Sequence, residues 1–121
     1  MRFMMIMIPD VYRTPVPPNF APDPEALRKM GEFNEQLQKA GALLTLDGLT
    51  PPAMAARVSF STGKPVVTDG PFAESKEVVG GFWMIRVSSR DEAIAWAKRC
   101  PAEARDVIEI RQVFEPGDFE A

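Results

Sequence analysis

Thr68-Asp69-Gly70-Pro71-Phe72-Ala73-Glu74-Ser75-Lys76-Glu77, with the run from Val78 to Val87 behind it, is the stretch whose reading decides the fold. Pro65, Val66, Val67 and Thr68 read as a β-branched strand. Asp69-Gly70-Pro71 is turn chemistry: glycine tolerates a positive φ, proline fixes its own φ, and aspartate accepts hydrogen bonds from nearby backbone N–H groups. Phe72 supplies an apolar anchor, and Glu74, Ser75, Lys76 and Glu77 crowd polar side chains into a short span. Strand-like composition then resumes, interrupted by Gly80-Gly81. A Gly/Pro-constrained polar loop between two strands is a place where binding groups are carried, and equally the form of an ordinary solvated turn.

Outward from the motif, Phe82 and Met84 point to one side of a strand and Trp83, Ile85 and Val87 to the other, so both faces are bulky and apolar. The N-terminal run Phe3-Met4-Met5-Ile6-Met7-Ile8 has the same two-sided character and ends at Pro9. The pair Gly80-Gly81 weakens its strand and predicts a bulge or a close approach by a ligand or another backbone. Residues 10–22 form a proline-rich arm carrying Tyr12 and Arg13, either a cover over a pocket or a surface segment. Asp23-Pro24-Glu25 opens a helix, with Leu27, Met30, Phe33, Leu37 and Ala40 as its apolar stripe and Gly41 closing it. Ala42 to Leu46 reads as a strand, and residues 57–61 and 65–68 as a hairpin about Gly63. Ser89 with Glu92 forms a capping box before a second helix, which Pro101 stops. Residues 107–114 close the pattern as a strand, and residues 116–121 read as a tail.

The order is therefore β-α-β, a hairpin, then β-α-β in a single domain over residues 1–121. Two helices cover only one face of such a sheet. The strands at 3–8 and 81–87 are apolar on both sides, which predicts that the bare face meets a second copy of the chain.

The motif from Thr68 to Glu77, followed by Gly80-Gly81-Phe82-Trp83, resembles the signature of the YCII-related, DGPF-domain family, and the order of strands and helices resembles that family along nearly the whole chain. The resemblance implies an α+β, ferredoxin-like sandwich with both helices on one face, paired as a dimeric α/β barrel. It implies little about activity. Enzymatic relatives use a His–Asp pair, and this sequence keeps the motif aspartate Asp69 but contains no histidine. Relatives of this type also occur beside extracytoplasmic-function sigma factors, which implies an accessory or sensing role by association only.

Composition narrows the chemistry. With 45% apolar and 26% charged residues the chain reads as globular, and a net charge of −3 offers no basic field for nucleic acid. No stretch is long and apolar enough for a membrane span, and a cytoplasmic protein is expected. Cys100 is the single cysteine and reads as packing beside a helix end. Without histidine, triads and the common zinc sites are excluded, and no carboxylate spacing suggests a metal; no cofactor is expected. Ser75 lacks an activating base.

Acid–base work falls to carboxylates. Asp69, beside Phe72 at a strand end, is the first candidate, and Glu109, beside Arg111 on the last strand, is the second. A ligand site is expected between the motif loop, the glycine pair and the arm, formed by Tyr12, Arg13, Phe72, Gly80 and Gly81, with Arg111 as a further carboxylate binder. Three readings stay open: an accessory domain binding a small acidic or oxo ligand, a cofactor-independent lyase or isomerase, and a structural dimeric module without ligand.

Overall fold

Strand β1 (Arg2–Ile8) runs through the middle of the sheet because its sequence suits no edge. Phe3 and Met5 are fully buried beneath the helices, while Met4 and Ile6 lie half-buried on the opposite face. The computed structural model describes residues 1–72 and 77–119; Ala73, Glu74, Ser75 and Lys76 of the motif, and with them the expectation about Ser75, lie outside the described residues.

Strands β2 (Leu43–Gly48), β3 (Ala56–Ser59), β4 (Val66–Asp69), β5 (Gly81–Arg86) and β6 (Val107–Gln112) follow in the chain, with helices α1 (Pro24–Lys39) and α2 (Arg90–Lys98). The four-stranded sheet has the order β2-β5-β1-β6, all antiparallel, and β3 and β4 pair apart from it as a two-stranded ribbon inserted between β2 and β5. This is the α+β, ferredoxin-like arrangement. Register sets the two faces: Met5 pairs with Trp83 and Phe3 with Ile85 over the core, and Met4 pairs with Met84 and Ile6 with Phe82 on the open side.

Helix α1 begins as its sequence predicts, with the Asp23 carboxylate accepting from the Ala26 N–H at 3.2 Å and Pro24 at the first helical position. It ends at Gly41, whose φ of +73° is left-handed backbone that glycine adopts without penalty. Phe33 and Leu37 are its buried residues; Leu27 stays 55% exposed, so the apolar stripe covers the core only from Met30 onward. Phe33 stands edge-on between Trp83 and Trp96, with centroid distances of 5.9 and 6.4 Å. Each such buried side chain contributes about 1.5–3 kcal/mol. The Trp83 indole N–H donates to Asn34 Oδ1 at 2.7 Å, satisfying the one polar atom of a buried ring.

At α2, Ser89 accepts from the Glu92 N–H at 3.1 Å, but Glu92 reaches back to the Ser88 N–H at 2.9 Å, one residue earlier than a capping box places it. No helix among the described residues is long and apolar enough to cross a membrane.

Candidate functional site

The exits of β1 and β2 and the start of β5 meet at Gly80. Its N–H donates to the Met7 carbonyl at 2.8 Å, and its carbonyl accepts from the Leu49 N–H at 2.9 Å. The backbone is thereby tied to the ends of β1 and β2 at once. A Cβ on Gly80 would lie 2.6 Å from Pro9 Cγ and 3.3 Å from Tyr12 Cε2, and one on Gly81 would lie 3.0 Å from the Asp47 carbonyl oxygen. The space that the missing side chains leave is filled by the chain itself, so close approach of backbone and arm accounts for the glycine pair.

The arm is partly ordered by a 3₁₀ turn at Asp10–Arg13, closed by the Tyr12 N–H donating to the Pro9 carbonyl at 3.2 Å. The Tyr12 hydroxyl donates to the Leu49 carbonyl at 3.1 Å, and its ring meets Phe20 edge-on with centroids 6.1 Å apart. Partial burial raises the phenol above its ordinary pKa, because the phenolate loses hydration there. Arg13 Nε lies 3.3 Å from Asp10 Oδ1.

The motif turn docks on a 3₁₀ turn at Pro52–Met54. The Gly70 N–H donates to the Ala55 carbonyl at 2.8 Å, the Gly70–Pro71 peptide is cis, and a Cβ on Gly70 would lie 1.9 Å from the Pro52 carbonyl oxygen. Gly70 is not at positive φ, so proximity rather than backbone freedom requires glycine here. Phe72 follows the turn, with the Arg57 guanidinium stacked 3.9 Å above its ring centroid.

Arm and motif together enclose a cavity of about 300 Å³, lined by Tyr12, Arg13, Thr14, Pro15, Val16, Pro52, Ala53, Pro71 and Phe72. Tyr12, Arg13 and Phe72 of the sequence-expected set therefore meet in one place. Asp69 does not join them: it is exposed at the end of β4, opposite Ala56, and among the described residues its carboxylate accepts no hydrogen bond. The partial burial expected beside Phe72 is absent because the ribbon carries Asp69 outside the main sheet. Glu109 and Arg111 also stand apart, exposed on the open face of β6 with their charged groups 3.8 Å from each other. Gly80 borders a second cavity on the other side of Tyr12.

The residues that sequence reasoning missed are Pro52 and Ala53, floor of the first cavity, and Leu49, which holds the Tyr12 hydroxyl. Pro51-Pro52 reads as a plain turn, and nothing local signals that the motif packs on it. Among the described residues no group of three or more His, Cys, Asp or Glu side chains is placed to hold a metal ion.

The model of the YCII-related domain matches residues 1–116. The chain belongs to the YCII-related domain family. An uncharacterized protein of Rhizobium meliloti (strain 1021) is 37% identical to this YCII-related domain over 101 residues, covering 80% of this chain and 82% of the relative. The match spans the motif turn, both helices and β6, so the family covers the sheet and the cavity-forming loops together.

Proposed function

We propose that this YCII-related domain is a small-molecule-binding accessory module, and that its ligand is a small acidic or oxo compound held between the arm and the motif turn. The observation that carries the reading is the charge of the cavity lining: Arg13 is its one charged residue, set among Tyr12, Phe72, three prolines and small side chains. A volume of about 300 Å³ lies at the small end of ligand pockets. An arginine fork against apolar walls suits a carboxylate or a polarised carbonyl on a compact apolar body. Asp10 engages the guanidinium only at 3.3 Å through Nε, and among the described residues Arg13 makes no hydrogen bond that a ligand would have to displace.

The same lining gives little support to lyase or isomerase chemistry. No carboxylate borders it, and neither Asp69 nor Glu109 lies in a described cavity. A link to sigma-factor signalling rests on family association and adds no residue to the site.

The module acts as a homodimer in this reading. Met4, Ile6, Phe82 and Met84 form a continuous apolar centre on the face that no helix covers, with Thr45 and Asp47 on one flank and Glu109 and Arg111 on the other. An apolar centre with a charged margin matches the composition of a subunit interface. In a dimer the Glu109–Arg111 pair belongs to that margin rather than to a catalytic site.

A thermal-shift panel of benzoate, pyruvate and short aliphatic acids tests the ligand class. Stabilisation by at least one acid that weakens in Arg13→Ala supports it; no shift with any acid, or equal shifts in both proteins, contradicts it.

A further inference from the structure

Tyr12 separates two cavities of opposite charge. The acid-binding cavity described above has Arg13 and no carboxylate in its wall. Across the ring lies a cavity of about 440 Å³, walled by the arm, the first turns of α1 and the loop after α2. Its apolar surface comes from Met7, Phe20, Ala26, Met30 and Pro101, and its charged residues are Asp10, Glu103 and Asp106, with no lysine or arginine.

The acidic side has one fixed member, the half-buried Asp106, beside half-buried Asp10 and exposed Glu103. The Asp106 carboxylate is fixed by two backbone donors, Asp10 N–H to Oδ1 and Glu103 N–H to Oδ2, both at 2.8 Å. Each oxygen retains a free lone pair, and among the described residues no cation pairs with Asp106. Its charge is felt in the neighbouring core, where it adds to burial in raising the Cys100 thiol to about 11. Asp10 shares its charge with Arg13, while Glu103 has no ion-pair partner among the described residues. An apolar chamber of this size with fixed, uncompensated negative charge at its edge selects a ligand of complementary form.

We infer that the cavity between the arm, α1 and the loop after α2 is a second ligand site, specific for a small amphipathic amine whose apolar body packs against Met7, Phe20 and Met30 and whose ammonium group meets Asp106 and Glu103. The two cavities share the Tyr12 ring and are linked by the Asp10–Arg13 ion pair, but Asp106 and Glu103 border only the second, so the site does not rest on the acid-binding reading.

The test is an NMR titration of the full chain carrying ¹³C-methyl methionine, using 2-phenylethylamine at neutral pH beside its uncharged and anionic analogues, 2-phenylethanol and 3-phenylpropionate. The methyl signals of Met7 and Met30 are expected to shift saturably with the amine, while Met54 and Met84, outside the cavity, stay in place. The alcohol should bind about tenfold more weakly, the margin of a charge-assisted hydrogen bond. Glu103→Lys should weaken the amine about fivefold, and Ala26→Trp, which fills the chamber, should abolish the shifts. Equal shifts of Met7 and Met30 with amine and propionate, shifts spread over all methionines, or no saturable shift would overturn the inference. The ligand series on the unaltered protein decides the matter even if Ala26→Trp fails to fold. Failure of benzoate to bind beside Arg13 leaves these outcomes unchanged.

Discussion

Gly70 lies against Pro52 so closely that a Cβ on the glycine would sit 1.9 Å from the proline's carbonyl oxygen. This contact, with the Gly70 N–H bonded to Ala55 at 2.8 Å, fastens the motif turn to the turn after β2 and sets the floor of the cavity between arm and motif turn. The obstruction is backbone, which cannot rotate away as a side-chain tip does. Gly70→Ala should therefore destabilise the domain by about 1–3 kcal/mol, the range for overpacking, read from the urea midpoint. A midpoint within error of the unaltered protein would show that the two turns separate freely.

Asn34 and Trp83 make the core's one long-range side-chain hydrogen bond to a buried ring among the described residues, at 2.7 Å. Asn34→Ala leaves the indole N–H without its partner. The expected cost is about 1–2 kcal/mol, with a red shift of tryptophan emission as water reaches the ring. An unchanged spectrum and melting temperature would contradict this role.

The fold was legible where local chemistry and burial agree. Asp23 and Pro24 mark the start of α1, Gly41 its end, and the alternation from Phe82 to Val87 separates core from open face. Legibility fails where a residue answers to something distant in sequence. Leu27 belongs to a helical stripe by spacing, yet it lies beyond the stretch of α1 that the core meets. Gly70 reads as a positive-φ turn residue and is instead required by Pro52, a contact no local pattern reveals. Tyr12, Arg13 and Phe72 come to one cavity from a proline-rich arm and a constrained loop, both of which local sequence marks. Adjacency to Phe72 in sequence suggests the same place for Asp69, but the ribbon carries it outward. One expected pocket became two cavities because the Tyr12 ring fills the space beside Gly80.

Cys100 is held neutral by burial first and by the Asp106 charge second, with its thiol raised from 9.0 to about 11. At pH 8 its thiolate population is then about a hundredfold below that of an ordinary thiol, and alkylation of the folded protein should be slower than that of the urea-unfolded chain by at least this factor. The folded pKa exceeds the unfolded one, so the contribution to stability is complete below pH 9.0 and is lost as pH rises toward about 11. Cys100→Ala should flatten that alkaline decline. Equal alkylation rates in folded and unfolded chains would sink the assignment.

Met84 stands at the centre of the open face, opposite Met4 on one side and Thr45 on the other. If that face joins two copies as proposed, Met84→Asp buries an unpaired charge and should weaken the dimer by at least about a hundredfold. Sedimentation velocity at micromolar concentration would show the unaltered chain as a dimer and the variant as a folded monomer. A monomeric unaltered chain would contradict the proposed pairing.

The central claim, that the cavity between arm and motif turn holds a small acid on Arg13, meets its most direct test in fluorine NMR of 4-fluorobenzoate titrated with the protein and with Arg13→Ala. Saturable broadening and displacement of the fluorine signal by the unaltered protein is expected, with affinity reduced about tenfold or more in Arg13→Ala. Equal binding by both proteins, or no binding of this probe or of any acid competing for the same cavity, would contradict it.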